Sequence, residues 1–103
     1  MAVLVKSLTE AGPIASHSDS VQIRSGLVVL GRGEEVGRHE TGNGEELIIL
    51  LEGSAELLCD GESKIIDAPV AVLVPAHTPH NVRNRSTNPL RYVYVYVNAL
   101  DNP

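Results

Sequence analysis

At 103 residues and 11.0 kDa the chain has room for one hydrophobic core, so one domain over residues 1–103 is expected. Apolar residues at 43% and charged residues at 20% exclude a disordered chain and a membrane-spanning one. A net charge of −5, no basic run and only three aromatics (Tyr92, Tyr94 and Tyr96) argue against nucleic acid. Phosphate neutralisation needs clustered cations, and single-stranded bases need rings to stack on.

The core must therefore be aliphatic. Val and Ile together outnumber Leu, which favours strands, because branched Cβ atoms suit a pleated surface. Ala2 to Val5 reads as an N-terminal strand, and the apolar run before Lys6 is too short for a signal peptide or a membrane span. Ala11 to Ser20 reads as loop, with His17 a solvated side chain within it. Val21 to Leu30 reads as one or two strands, Gly31 to Gly33 as a break, and Val36 to Thr41 as a further strand. Gly42-Asn43-Gly44 is a turn signal. Leu47 to Leu51 and Ala55 to Cys59 follow as strands around Gly53, although Glu45 to Leu58 also has helix-compatible composition. Asp60-Gly61 is a favoured two-residue hairpin turn, with Ser63 to Ile66 as the return strand. Val70 to Val74, Asn81 to Asn84 and Leu90 to Val97 complete the pattern. Short strands with regular turn signals predict an all-β sandwich or barrel. Cys59, the only cysteine, forms no internal disulfide; it reads as a half-buried strand residue and suits a reducing cytoplasm. Asn84-Arg85-Ser86 spells a glycosylation sequon by chance.

Three histidines and one glutamate carry the chemical signal. His39 and Thr41 share a face of their strand, and the chain then reverses through Gly42–Gly44. Glu46 opens the next strand and is placed to come alongside His39. His80 lies in Pro75-Ala-His77-Thr-Pro-His80-Asn-Val-Arg-Asn84. Two histidines and a carboxylate inside a barrel would leave open positions on an ion, a set that suits Fe(II), Mn, Ni or Zn. The same three residues could instead bond one another as inward polar groups with no metal.

Both segments resemble the two motifs of the cupin superfamily. The first motif is G, five residues, H-x-H, three or four residues, E, six residues, G; Gly33, His39, Glu46 and Gly53 fall on it. The second is G, five residues, P-x-G, two residues, H, three residues, N; Pro75, His80 and Asn84 fall on it, over residues 69–84. The resemblance implies a small double-stranded β-helix, or jelly-roll barrel. It also implies a metal site on His39, Glu46 and His80, with a divalent transition metal (Fe, Mn, Ni or Zn) as cofactor. Three departures stand out: Thr41 replaces the second His of H-x-H, Pro69 the first Gly of the second motif, and His77 the Gly of P-x-G. A hydroxyl is a weak ligand for a divalent ion. His77 either points outward from the turn or stands in for the missing ligand.

If Glu46 points inward, so do Ile48 and Leu50, which become cavity-lining candidates together with Thr41, His77, Tyr92, Tyr94 and Tyr96. Leu47, Ile49 and Leu51 then face outward, and a strand apolar on both faces is covered on both. The resemblance adds that many relatives pair, so a homodimer with these residues near the contact is expected. In the last strand the tyrosines lie on one face and Val93, Val95 and Val97 on the other; the aliphatic face is expected against a packed layer. The tyrosines form either a solvated or interface ladder or part of the cavity wall. Arg83, Arg85 and Arg91 read as rim charges rather than an anion clamp, although a carboxylate substrate could use one. Two functions compete. One is a metal-dependent enzyme on a small polar molecule, of dioxygenase, isomerase, decarboxylase or lyase type. The other is a non-catalytic module that binds or senses a small molecule with weak or absent metal. No membrane or nucleic-acid partner is expected for either, no residue is assigned as catalytic, and the fold alone does not choose between them.

Overall fold

Residues 3–16, 18–20 and 22–98 are described by a computed structural model. They form strands β1 (Gly12–Ala15), β2 (Ile23–Leu30), β3 (His39–Glu40), β4 (Glu45–Glu52), β5 (Ser54–Cys59), β6 (Glu62–Asp67), β7 (Val70–Val74), β8 (Pro79–Arg83) and β9 (Leu90–Val97). All pairings are antiparallel, in a five-stranded sheet β1-β2-β9-β4-β7 and a four-stranded sheet β3-β8-β5-β6. The expected all-β barrel is present. No helix among the described residues is long and apolar enough to cross a membrane.

Alternation explains the core. On β4, Glu46, Ile48 and Leu50 turn inward and are buried, while Leu47 and Leu51 are exposed. Ile48 and Leu50 join Leu30, Val74, Leu90 and Tyr92 from the same sheet and Ala55 and Val82 from the facing one. Each fully buried aliphatic side chain stabilises the fold by about 1.5–3 kcal/mol. The β5–β6 hairpin closes through Asp60 at φ 52 and Gly61 at φ 78, so both central residues take the left-handed conformation that suits Asp-Gly.

Several expectations are corrected. Val3 to Val5 form no strand; their side chains are exposed, and Ala2 lies outside the described residues, as does His17. The segment read as loop contains β1, which pairs with β2 at the sheet edge, where Pro13 is tolerated. The strand expected from Val36 shrinks to His39–Glu40. The packed face of β9 is the tyrosine face, not the valine face: Tyr92 is buried in the core and Tyr94 packs against it. Gly26 lies opposite Tyr94 across the β2–β9 ladder, and a Cβ there would sit 2.9 Å from the Tyr94 ring. A glycine on the facing strand thus makes room for an inward phenol. Alternation assigns residues to shared faces but does not say which face turns inward.

Asn84 is wholly buried, with Nδ2 donating to the carbonyls of Leu30 (2.9 Å) and Asn88 (2.8 Å). Its Oδ1 accepts from the Ser86 amide and hydroxyl, so the sequon asparagine is a loop-tying residue. Cys59 is half-buried on β5, and burial pushes its thiol up, with Asp60 and Glu62 adding to the effect.

Candidate metal centre

The short β3–β8 ladder sets His39 opposite His80. Their rings meet edge to face, with centroids 4.1 Å apart. Glu46 reaches them from the start of β4, after the reversal through Gly42–Gly44.

Both imidazoles are held by the same device. His39 Nδ1 lies 2.9 Å from the Gly37 carbonyl, and His80 Nδ1 lies 2.9 Å from the Thr78 carbonyl. A carbonyl only accepts, so each Nδ1 carries the proton and each Nε2 is turned toward the centre. Glu46 Oε2 lies 2.9 Å from His80 Nε2 and 4.0 Å from His39 Nε2. One donor atom from each residue falls within 4.8 Å of the other two. Donor atoms about 2.1 Å from a common ion lie roughly 3.0–3.4 Å apart, a spacing that these separations bracket. The residues therefore fit a divalent metal. His80 is fully buried, and the Glu46 carboxylate beside it raises its pKa against the opposing effect of burial, with the Thr78 carbonyl adding to the rise.

Thr41 does not face this centre with a free hydroxyl. It is buried, donates to the Pro75 carbonyl at 2.6 Å and accepts the Thr78 amide hydrogen at 3.0 Å. His77 is exposed, 3.7 Å from Glu40, and its φ of 55 occupies the turn position where the cupin pattern has glycine. Ile48 and Leu50 belong to the apolar core. The Tyr96 hydroxyl donates to the Thr41 carbonyl at 2.7 Å.

A cavity of about 440 Å³ opens on the centre, walled by Val28, Val36, Tyr92 and Tyr94 beside His39 and Glu46. Of the seven lining candidates, Tyr92 and Tyr94 contribute to these walls. Burial pushes the Tyr92 phenol far above its ordinary range, with the Glu46 charge adding to the rise, so it stays a neutral hydrogen-bond donor. Arg38 also lines this cavity and is the residue missed in sequence. It adjoins His39, and strand alternation would turn it away. Residues 36–38 are irregular, however, so the period-two rule does not reach Arg38.

Solved structures share this architecture. A protein from Thermus thermophilus superposes with a TM-score of 0.82 at 22% identity, covering 93% of this chain and 98% of that one. A predicted oxalate decarboxylase from Thermotoga maritima gives 0.80 at 18% identity, covering 86% and 79%. An RmlC-like cupin family protein with a double-stranded β-helix fold, from Methanocaldococcus jannaschii, gives 0.76 at 20% identity, covering 89% and 83%. These likenesses concern the fold. No curated protein matches the chain by sequence. A family model described as Cupin domain matches residues 26–96, more than half of the sequence and both motifs, and the chain belongs to the cupin family.

Proposed function

We propose that this cupin holds a divalent transition metal on His39, Glu46 and His80 and acts on a small polar molecule in the adjoining cavity. The reaction is of dioxygenase, isomerase, decarboxylase or lyase type. The observation that carries the reading is the pair of carbonyl-anchored imidazoles that aim Nε2 at one carboxylate. Orientation of this kind is what ligating histidines require, and an inward polar cluster without metal does not need it on the half-exposed His39. A bound ion of this class supplies Lewis-acid polarisation of a substrate oxygen or a redox centre. The chain's own groups do the rest. The Thr78 and Gly37 carbonyls fix the ligands, Val28 and Val36 shield the substrate from water, and the Tyr92 phenol donates a hydrogen bond.

The test is elemental analysis of purified protein beside His39→Ala and His80→Ala. Stoichiometric metal in the wild type, lost in both variants, is expected. No metal after incubation with Fe(II), Mn(II), Ni(II) and Zn(II) sinks the reading. That outcome would favour a non-catalytic binding or sensing cupin, which the engagement of Thr41 away from the centre supports. The same proposal pairs two copies of the chain through the outer face of the five-stranded sheet. There Leu47 and Leu51 are exposed and Ile49 is half-buried.

A further inference from the structure

Arg38 has a role that metal binding leaves open. Its guanidinium makes no hydrogen bond or ion pair with any described residue. It lines the cavity of about 440 Å³ with His39 and Glu46, and also a second cavity of about 300 Å³ that includes His80. The acidic side chains lining the two are Glu46, already matched by His80, and Asp60, which borders only the second. A divalent ion together with Arg38 outweighs both carboxylates. The lining is then positive within a chain of net charge −5. The remaining polar groups of the larger cavity include two phenols with no hydrogen-bond partner among the described residues. The exposed Arg38 and these phenols share the lining with Val28 and Val36, so the complementary ligand is an anion rich in acceptors with a small apolar body.

We infer that Arg38 binds the carboxylate of a small organic acid in the cavity shared with His39 and Glu46, and so selects carboxylate substrates for this site. A guanidinium matches a carboxylate through two parallel N–H donors. A phosphate dianion would call for further cationic side chains beside Arg38, and neither cavity has a second Arg or a Lys in its lining. The inference rests on the proposed function for the word substrate and for the ion's share of the positive charge; the pairing of the Arg38 guanidinium with a carboxylate does not need the ion.

The test compares wild type, Arg38→Gln and Arg38→Lys, each metal-free and loaded with Co(II). The probes are lactate, malonate and succinate, their neutral amides, and inorganic phosphate. Affinities come from calorimetry, and the Co(II) absorption spectrum reports on the metal. Carboxylates should bind more tightly than amides and phosphate. Arg38→Gln should weaken them roughly 10- to 100-fold, the range for a hydrogen bond to a charged group, and leave Co(II) affinity unchanged. Arg38→Lys should recover part of the loss. Equal carboxylate affinity in wild type and Arg38→Gln overturns the inference, as does phosphate or amide binding as tight as carboxylate. The absence of carboxylate binding in both forms also overturns it. Failure of the wild type to take up Co(II) is a separate result that removes the metal reading; the metal-free comparison then decides the role of Arg38.

Discussion

The hydroxyl of Thr41 accepts the amide hydrogen of Thr78 at 3.0 Å, within the buried interior. It also donates to the Pro75 carbonyl, so both ends of the loop before β8 are tied to one side chain. The Thr78 carbonyl in turn fixes His80 Nδ1. The cupin pattern has a second histidine at the position of Thr41. Here that hydroxyl is engaged by Pro75 and Thr78 and, through the Thr78 carbonyl, orients His80.

Thr41→Val tests this link, because it keeps the shape and deletes both hydrogen bonds. It leaves the buried Thr78 amide unsatisfied, which should cost about 1–3 kcal/mol in urea unfolding. Metal affinity should fall as well, since the loop that anchors His80 loosens. Unchanged affinity in a destabilised variant would limit Thr41 to a role in stability.

The two histidines of the candidate metal centre should differ in what they do for the metal-free protein. The His39 side chain is 42% exposed, and its loss leaves Glu46 still bonded to His80. His39→Ala should therefore change stability by no more than ~0.5 kcal/mol. His80→Ala strips the nearest cation from a carboxylate that is only 12% exposed. Breaking a buried pair in this way costs on the order of 3 kcal/mol. Both variants should lose the metal. Equal destabilisation in metal-free unfolding would contradict this division.

The parts legible in sequence are those set by local chemistry. Asp60-Gly61 dictates its hairpin, and the alternation of Leu90 to Val97 dictates β9 to the residue. The apolar parity of β4 carries Glu46, Ile48 and Leu50 inward together. What depends on distant partners is hidden. β1 exists because β2 offers an edge, and Val3 to Val5 join no strand. The inward turn of Tyr94 depends on Gly26 on the paired strand. Arg38 reaches the cavity through irregular backbone, where no period applies. The motif spacing brings His39, Glu46 and His80 into view, whereas the engagement of Thr41 with Pro75 and Thr78 is a contact between segments that only the fold reveals.

Glu56 gives a pH dependence away from the metal centre. The Arg83 guanidinium holds its carboxyl below the ordinary value of 4.5, with Arg85 and Ser63 assisting against burial. A carboxyl whose folded pKa is depressed contributes stability above its unfolded pKa and loses it as pH falls through the folded one. Glu56→Gln removes the charge at every pH. The variant should therefore be less stable than wild type at pH 7, and the gap should close as pH drops below about 4. A gap independent of pH would assign the effect to packing.

The outer face of the five-stranded sheet leads to the last expectation. Across β9, β4 and β7, Val95, Leu47 and Leu73 form one row, and Val93, Ile49 and Ala71 form the next. Leu47 is 37% exposed and Leu73, on the edge strand, 61%, so this side of the face is aliphatic and in contact with water. Two copies related by a two-fold axis would set identical rows against each other, with no charge to desolvate within them. The wild type should sediment at micromolar concentration with twice the mass of the 11.0 kDa chain. Leu47→Glu combined with Leu73→Glu should give monomer, because like charges would then meet across the axis with no partner. Ile65→Glu changes a side chain of similar exposure on the facing sheet, 60% open, and should leave the pair intact. A wild type that sediments as monomer removes the dimer; dissociation by Ile65→Glu alone moves the contact to the other sheet.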